Sequence, residues 1–259
     1  MESFELDEVI QLARQAGEVA LRYFGGSGAR RKPDKTYVTK ADREVERLVR
    51  RRLTEITPGF AVLGEEDGLT GDSSEGAPCW VVDPLDGTSS FVSGLPCWSF
   101  SLGLVEGDKA RFGLVYLPAI DEMYYTELDG SVLFNGEPYE TQQPAVLDSE
   151  AVLYVPSDFH RCYQITFPGK LRSLGSAAYH GLMTARPLTA GVLQGRIYLW
   201  DAAAILAINA AWGMRIGTLS GKEVTPSQWN LNQKIDEPLL FAQPQNFEKI
   251  AAMIKRIQH

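Results

Sequence analysis

The stretch "WVVDPLDGTSSF", Trp80 to Phe91, decides how this chain is read. An apolar run leads straight into two aspartates three residues apart, Asp83 and Asp86, and then into Gly87, Thr88, Ser89 and Ser90. "WVV" has the composition of a buried strand, so two like charges arrive where that strand leaves the core. Paired carboxylates in such a place repel each other and resist desolvation, and a divalent cation relieves both costs. Residues 87–90 stand where a helical turn could begin. Backbone N–H groups there, free of bulky side chains, suit phosphate oxygens, and Thr88 and Ser89 add hydroxyls able to cap the turn. One segment thus offers metal ligands beside a phosphate cradle, the combination that metal-assisted phosphoryl transfer needs.

Four further acidic residues join it. Glu65 and Glu66 close the apolar run "FAVLGEE", Asp201 lies between "RIYLW" and "AAAILAINAAW", and Asp42 precedes "REVE". Taken singly, each has a plain reading. Glu65 and Glu66 suit a solvated turn, while Asp42 and Asp201 suit helix N-caps. At Asp201 an N-cap and a metal ligand are compatible roles. Glu65 and Glu66 together with Asp83 and Asp86 form an all-oxygen, hard donor set of the kind Mg2+ prefers.

Outward from this core, "FELDEVIQLARQAGEVALRYFGG" has apolar residues at helical spacing from Leu6 to Tyr23, with Gly25 and Gly26 as a stop. A second helix is expected from about Asp42, its apolar stripe formed by Val45, Leu48, Val49 and Leu53 and its "RRR" on the wet side, ended by Pro58 and Gly59. "SFSLGLVEGDKARFGLVYLPAIDEMYYTE" reads as a strand meander turning at Gly107–Asp108 and breaking at Pro118. "EAVLYV", "LRSLGS" and "RIYLWD" are further strand candidates, and "GSAAYHGLMTAR", "AAAILAINAAWG" and "FEKIAAMIKRIQ" are helix candidates. Helices and strands interleave without a strict βαβ rhythm, which predicts a layered, mixed α/β or α+β sandwich.

The chain has 259 residues, enough for one large domain or two closely packed lobes. Its net charge of −8 argues against a nucleic-acid partner, although a metal or a local basic cluster still admits anionic substrates. Three widely spaced cysteines, Cys79, Cys97 and Cys162, give neither a disulfide framework nor a zinc ribbon. The acidic start "MESFELDEVI" lacks a signal-peptide pattern, and no long apolar run suggests a membrane span, so a cytoplasmic protein is expected. His160, His180 and His259 have no metal-binding spacing and read as structural or exposed. "GTLSG" lacks a central serine, and "GGSG" lacks the GK[ST] of a P-loop. "RRK" (30–32) is either a solvated loop or a mobile basic one that attracts an anionic substrate.

In order and spacing, "KPDKTYVTKAD" (32–42), "GEE" (64–66), "WVVDPLDGTSSF", "LRSLGSAA" (171–178) and "RIYLWDAAA" (196–204) resemble the inositol monophosphatase family, within the lithium-sensitive, Mg2+-dependent phosphatases. The resemblance covers most of the chain. It implies a single phosphatase unit over residues 1–259, an α-β-α-β-α sandwich of the inositol monophosphatase and fructose-1,6-bisphosphatase type. An N-terminal lobe to about residue 140 would carry most metal ligands, and a C-terminal lobe would span about 141–259. It also implies a homodimer and two or three Mg2+ ions per site. Glu65, Asp83 and the Leu85 carbonyl would hold the first metal, and Asp83, Asp86 and Asp201 the second. Thr88, polarised by Asp42, would orient the attacking water, and Glu66 would support the water network. Gly87, Thr88 and Ser89 would face the phosphate, and Gly175, Ser176, Ala177 and Gln194 the rest of the substrate. The implied reaction is in-line attack of a metal-activated water on the phosphorus of a small phosphorylated metabolite, such as inositol monophosphate.

Three positions depart from the family pattern. Ser90 stands where Asn is common, Ile205 where Gly is common, and Gln194 where the inositol enzymes often carry an acid. Substrates of the histidinol phosphate, 3′-phosphoadenosine 5′-phosphate and fructose bisphosphate kinds therefore stay open, as does a catalytically silent, regulatory relative.

Overall fold

Two amphipathic helices lead the chain because their apolar residues recur every three to four positions. Helix α1 (Leu6–Leu21) buries Val9, Leu12, Ala13, Ala16 and Ala20, and α2 (Lys40–Ile56) buries Ala41, Val45, Val49 and Leu53. The computed structural model describes residues 4–26, 28–31, 37–72, 74, 76–127, 129–229 and 233–257. The "KPDKT" part of the early loop, including the last residue of "RRK", lies outside them. One expectation for α2 is corrected. Arg50, the first arginine of "RRR", does not face water: its side chain is only 13% exposed and pairs with the fully buried Glu46 one turn earlier.

The stretch around Trp80 forms a nine-residue strand, Pro78–Asp86, inside an eight-stranded sheet. It runs parallel to Ala61–Gly64 and antiparallel to Ser99–Glu106. The antiparallel meander continues through Lys109–Leu117 and Glu122–Thr126. A second sheet of five strands has the order Lys170–Arg172, Val152–Tyr154, Thr189–Gln194, Leu239–Ala242, Arg215–Thr218. After Asp86, Gly87 takes a φ of +90°, and the short helix α3 (Thr88–Val92) begins. The expected side-chain cap by Thr88 or Ser89 is not formed.

Buried contacts stack these elements in five layers. Helices α1 and α2 cover one face of the large sheet through Trp80, Val82, Leu102, Phe112 and Leu114. Its other face, through Val115, Leu117 and Tyr124, packs on α4 (Ala177–Leu182) and α5 (Leu199–Ala211), which also meet Val192, Leu239 and Phe241 of the second sheet. The far face of that sheet, at Leu153, Leu193 and Leu240, is covered by Phe247 and Ile250 of α6 (Pro244–Ala252). The α-β-α-β-α order expected from the sequence is the one observed. No described helix is long and apolar enough to cross a membrane.

Helix α5 is apolar all round because it is the central layer. It approaches the large sheet so closely that a Cβ on Gly103 would lie 2.6 Å from the Cβ of Ala203, and one on Gly113 would overlap the Ala204 carbonyl. The unusual Ile205 is accommodated the same way: it sits over Gly181 of α4, where a Cβ would come within 2.6 Å of it. Two expected elements differ. "RIYLWD" is a loop running into α5, and the strand lies just before it, at Thr189–Gln194. "FEKIAAMIKRIQ" is helical only to Ala252, after which Ile254–Arg256 pairs with Tyr163–Ile165. In both cases a short apolar run fits either period, and pairing partners far along the chain decide.

Candidate active site

A regular strand would point Asp83 and Asp86 to opposite faces, since they are an odd number of residues apart. Here Asp83 pairs with Ser101 and Asp86 with Ser99, so three steps on this strand face two on its neighbour. That extra residue, beside a proline unable to donate to the ladder, is a bulge that brings both carboxylates to one side. Asp83 Oδ1 accepts the Leu85 N–H at 3.0 Å, which fixes the turn within "DPLD". Asp201 arrives from α5. One oxygen each from Asp83, Asp86 and Asp201 lies within 4.8 Å of the others.

Burial pushes all three carboxyls above their usual range, and repulsion from neighbouring carboxylates adds to it at Asp83 and Asp201. Glu65 is among the charges raising both Asp83 and Asp201, so it stands close to the cluster. Asp201 is raised to about 8, and Asp86 is held lower by hydrogen bonds from Ser176 and the N–H groups of Ala177 and Ala178. A donor set that is all oxygen, buried and self-repelling suits a hard divalent cation.

Asp42 and Asp201 share one local device. Neither is an N-cap. Each sits at the third helical position and reaches back to the residue before the helix. Asp42 Oδ2 accepts the Thr39 N–H at 2.7 Å, and Asp201 Oδ2 accepts the Tyr198 N–H at 2.7 Å. A backbone donor thus sets the rotamer of each carboxylate. Thr88 Oγ1 donates to the Leu85 carbonyl at 3.2 Å. Glu65 and Glu66 form the turn between Ala61–Gly64 and Gly68–Thr70.

The residues expected on the substrate side collect at the other wall. A cavity of about 750 Å³ is lined by Asp86, Asp201, Gly175, Ser176, Ala177 and Gln194, and by Arg196 and Lys234 as cations. Gly87 is where this wall meets the strand end. A Cβ there would lie 3.1 Å from the Gly175 carbonyl and from Ser176 Cβ. Ser176 is buried and caps α4, and its hydroxyl donates to Asp86. Gln194 is buried as well and donates to the Ala177 carbonyl at 2.7 Å. Ser89 is exposed. Ser90 is buried under Gly175, where an added Cβ would run into its hydroxyl.

Sequence reasoning missed several supports. Ser99 Oγ lies 3.2 Å from Ser176 Oγ, behind Asp86. His180 accepts the Leu174 N–H at 2.7 Å and so braces the loop carrying Gly175. No motif flags either residue; only the tertiary contact does. Burial lowers the His180 pKa to about 4 from 6.5. The folded state therefore excludes a proton that the unfolded state takes up. The resulting stability is fully present above pH 6.5 and is lost as pH falls toward 4, amounting to about 3 kcal/mol. In His180→Gln, the stability difference from wild type, measured by urea unfolding at a series of pH values, is expected to shrink across that window. The carboxylates common to both proteins cancel in the difference; a gap independent of pH would refute the assignment.

Comparison with known proteins gives the same picture. The model of the inositol monophosphatase family matches residues 4–259. The chain is 32% identical over 231 residues to a fructose-1,6-bisphosphatase/inositol-1-monophosphatase of Thermotoga maritima, covering 84% of this chain and 86% of the relative. It is 29% identical over 215 residues to a histidinol-phosphatase of Chlorobaculum parvum, covering 79% and 82%. A solved inositol monophosphatase structure from Thermotoga maritima superposes with a TM-score of 0.80 at 27% identity, covering 96% of this chain and 95% of the other.

Proposed function

The chain belongs to the inositol monophosphatase family of metal-dependent phosphomonoesterases, and from that premise we propose that it releases phosphate from a small phosphorylated metabolite of the inositol monophosphate class, with Mg2+ as its cation. The observation that carries the proposal is the convergence of three carboxylates, Asp83, Asp86 and Asp201, of which Asp86 and Asp201 line one cavity. Asp83, Asp86 and Asp201, with Glu65 and the Leu85 carbonyl, would hold the cations. When bound, these neutralise the phosphate and make a water nucleophilic near neutral pH. The N–H groups of Gly87 and Thr88 take phosphate oxygens, Ser89 stands at their edge, and the small Gly87 lets the ester approach the backbone. Thr88 Oγ1 orients the attacking water, and Asp42 takes up its proton, with Glu66 supporting the water network. The alcohol portion lies toward Gly175, Ser176, Ala177 and Gln194.

One observation favours a second substrate class. Arg196 and Lys234 line the same cavity as Asp86 and Asp201, where they can meet a second anionic group. That suits a bisphosphate, and one relative carries fructose-1,6-bisphosphatase in its name. The test is phosphate release with and without Mg2+ from inositol monophosphate, fructose 1,6-bisphosphate, 3′-phosphoadenosine 5′-phosphate and histidinol phosphate. Inositol monophosphate is expected to lead. A lead for a bisphosphate that Arg196→Ala removes would favour the second reading, and no Mg2+-dependent release from any of them would overturn both. The reading includes inhibition by Li+ and a cytoplasmic homodimer, checked by inhibition titration, cell fractionation and light scattering.

A further inference from the structure

Asp42, Glu46 and Arg50 are four residues apart on α2, so they form one stripe along the helix. Asp42 is the acid already placed beside the reaction. The other two sit away from the phosphate and touch the turn that carries Glu65. Glu46, with no exposed side-chain surface, accepts the N–H of Glu66 at 2.8 Å on one oxygen and the N–H of Asp67 at 2.9 Å on the other. Arg50 Nε donates to Glu46 at 2.9 Å. Its Nη1 donates to the Val62 carbonyl at 3.1 Å and to Thr70 Oγ1 at 2.9 Å, and its Nη2 donates to the Gly68 carbonyl. The pair therefore grips both strands of the hairpin and the turn between them. The turn is built around this grip. Gly64 lacks a side chain where the Glu46 carboxyl lies, and a Cβ there would also come within 2.7 Å of the Arg50 guanidinium.

We propose that Glu46, locked by Arg50, is a positioning residue for the cation site, setting where the Glu65 carboxylate stands. The proposal rests on the reading of Glu65 as a metal ligand. A turn joining Gly64 and Gly68 has wide backbone freedom of its own, and a ligand on it would wander. Two N–H groups bound to one fixed carboxylate, whose Oε1 is held in turn by Nε and Nη2 of Arg50, remove that freedom. Lysine at position 50 could not supply the fork, since an ammonium is a point charge without planar donors. The glycine of "GEE" then has a function: it leaves room for the acid that aims the next residue.

The test is a calorimetric titration with Mg2+ alone, without substrate, of wild type, Glu46→Gln, Glu65→Gln and the double variant, with melting in chelator as a folding control. Glu46→Gln keeps the shape but retains one acceptor where two are used. It is expected to weaken Mg2+ binding about 10- to 100-fold. In the Glu65→Gln background it should add less than about twofold, because it acts through Glu65. Wild-type Mg2+ affinity in a folded Glu46→Gln protein would overturn the proposal, as would a loss of equal size in both backgrounds, which marks a general structural role. Unchanged affinity in Glu65→Gln would instead overturn the reading of Glu65, and the proposal with it. Should Glu46→Gln fail to fold, Arg50→Lys keeps the charge and gives up the fork. The same weakening and the same non-additivity are expected, and wild-type affinity there would overturn the proposal.

Discussion

Asp86→Asn is expected to abolish Mg2+-dependent phosphate release, by about 10³-fold or more in kcat/KM, while raising the melting temperature of the metal-free protein. The loss follows from removing one charged oxygen from a three-carboxylate cluster, and a 10³-fold loss corresponds to about 4 kcal/mol of transition-state stabilisation. The gain in stability has the same origin. Metal-free, the buried carboxyls repel one another, and Asp86 is among the charges that raise both Asp83 and Asp201. Removing it relieves both neighbours. The fold should survive because an amide oxygen can accept the same donors, the Ser176 hydroxyl and the Ala178 N–H at 2.7 Å. Phosphate release with and without Mg2+, paired with melts in chelator, measures the two effects together. Wild-type turnover would overturn the site, and an inactive protein that also melts lower would show that Asp86 supports the fold as much as the chemistry.

The opposite signs explain why "WVVDPLDGT" is legible without a structure. A buried strand does not end on two acids for the sake of stability, so the stretch announces a ligand. The five-layer order was available from the resemblance of the motifs to the inositol monophosphatase family, whereas the helical period of α1 and the strand meander by themselves predict only a layered mixture of helices and sheet. Legibility failed where geometry depends on distant partners. The bulge that turns Asp83 and Asp86 to one side is a register shift against Ser99–Ser101, and register belongs to the pairing rather than to either strand. Arg50 looks like a surface residue within "RRR", yet Glu46 and the carbonyls of Val62 and Gly68 draw it inward. The four-residue spacing of Asp42, Glu46 and Arg50 was a visible signal, but amphipathic helices commonly carry such pairs on their wet face. Ser176 carries a second contact that no motif shows, besides its place on the cavity lining. The sequence reading puts it on the substrate side, and its hydroxyl also donates to Asp86. The C-terminal half of the chain therefore helps to aim a carboxylate of the N-terminal half.

Thr88→Ala is expected to lower kcat by about 10²- to 10³-fold, leave KM within a few-fold, and leave Mg2+ binding unchanged. Thr88 begins α3 directly after the left-handed Gly87. Its hydroxyl is held by the Leu85 carbonyl at 3.2 Å, and the same carbonyl is a proposed metal ligand. A hydroxyl in that position can hold a water near the cation without being a ligand itself, so its loss affects the chemical step more than binding. The backbone N–H proposed to receive the phosphate remains in Thr88→Ala, which is why KM should change little. Thr88→Ser keeps the hydroxyl and gives up only the methyl group, and it should restore most of kcat. A structural role would behave differently: the methyl group would matter, serine would not rescue, and the melting temperature would follow the activity. Steady-state kinetics of both variants, with Mg2+ titrated calorimetrically in parallel, separates the two. Wild-type kcat in Thr88→Ala would remove Thr88 from the mechanism and leave the carboxylate cluster and the Gly87 backbone as the whole of the catalytic apparatus.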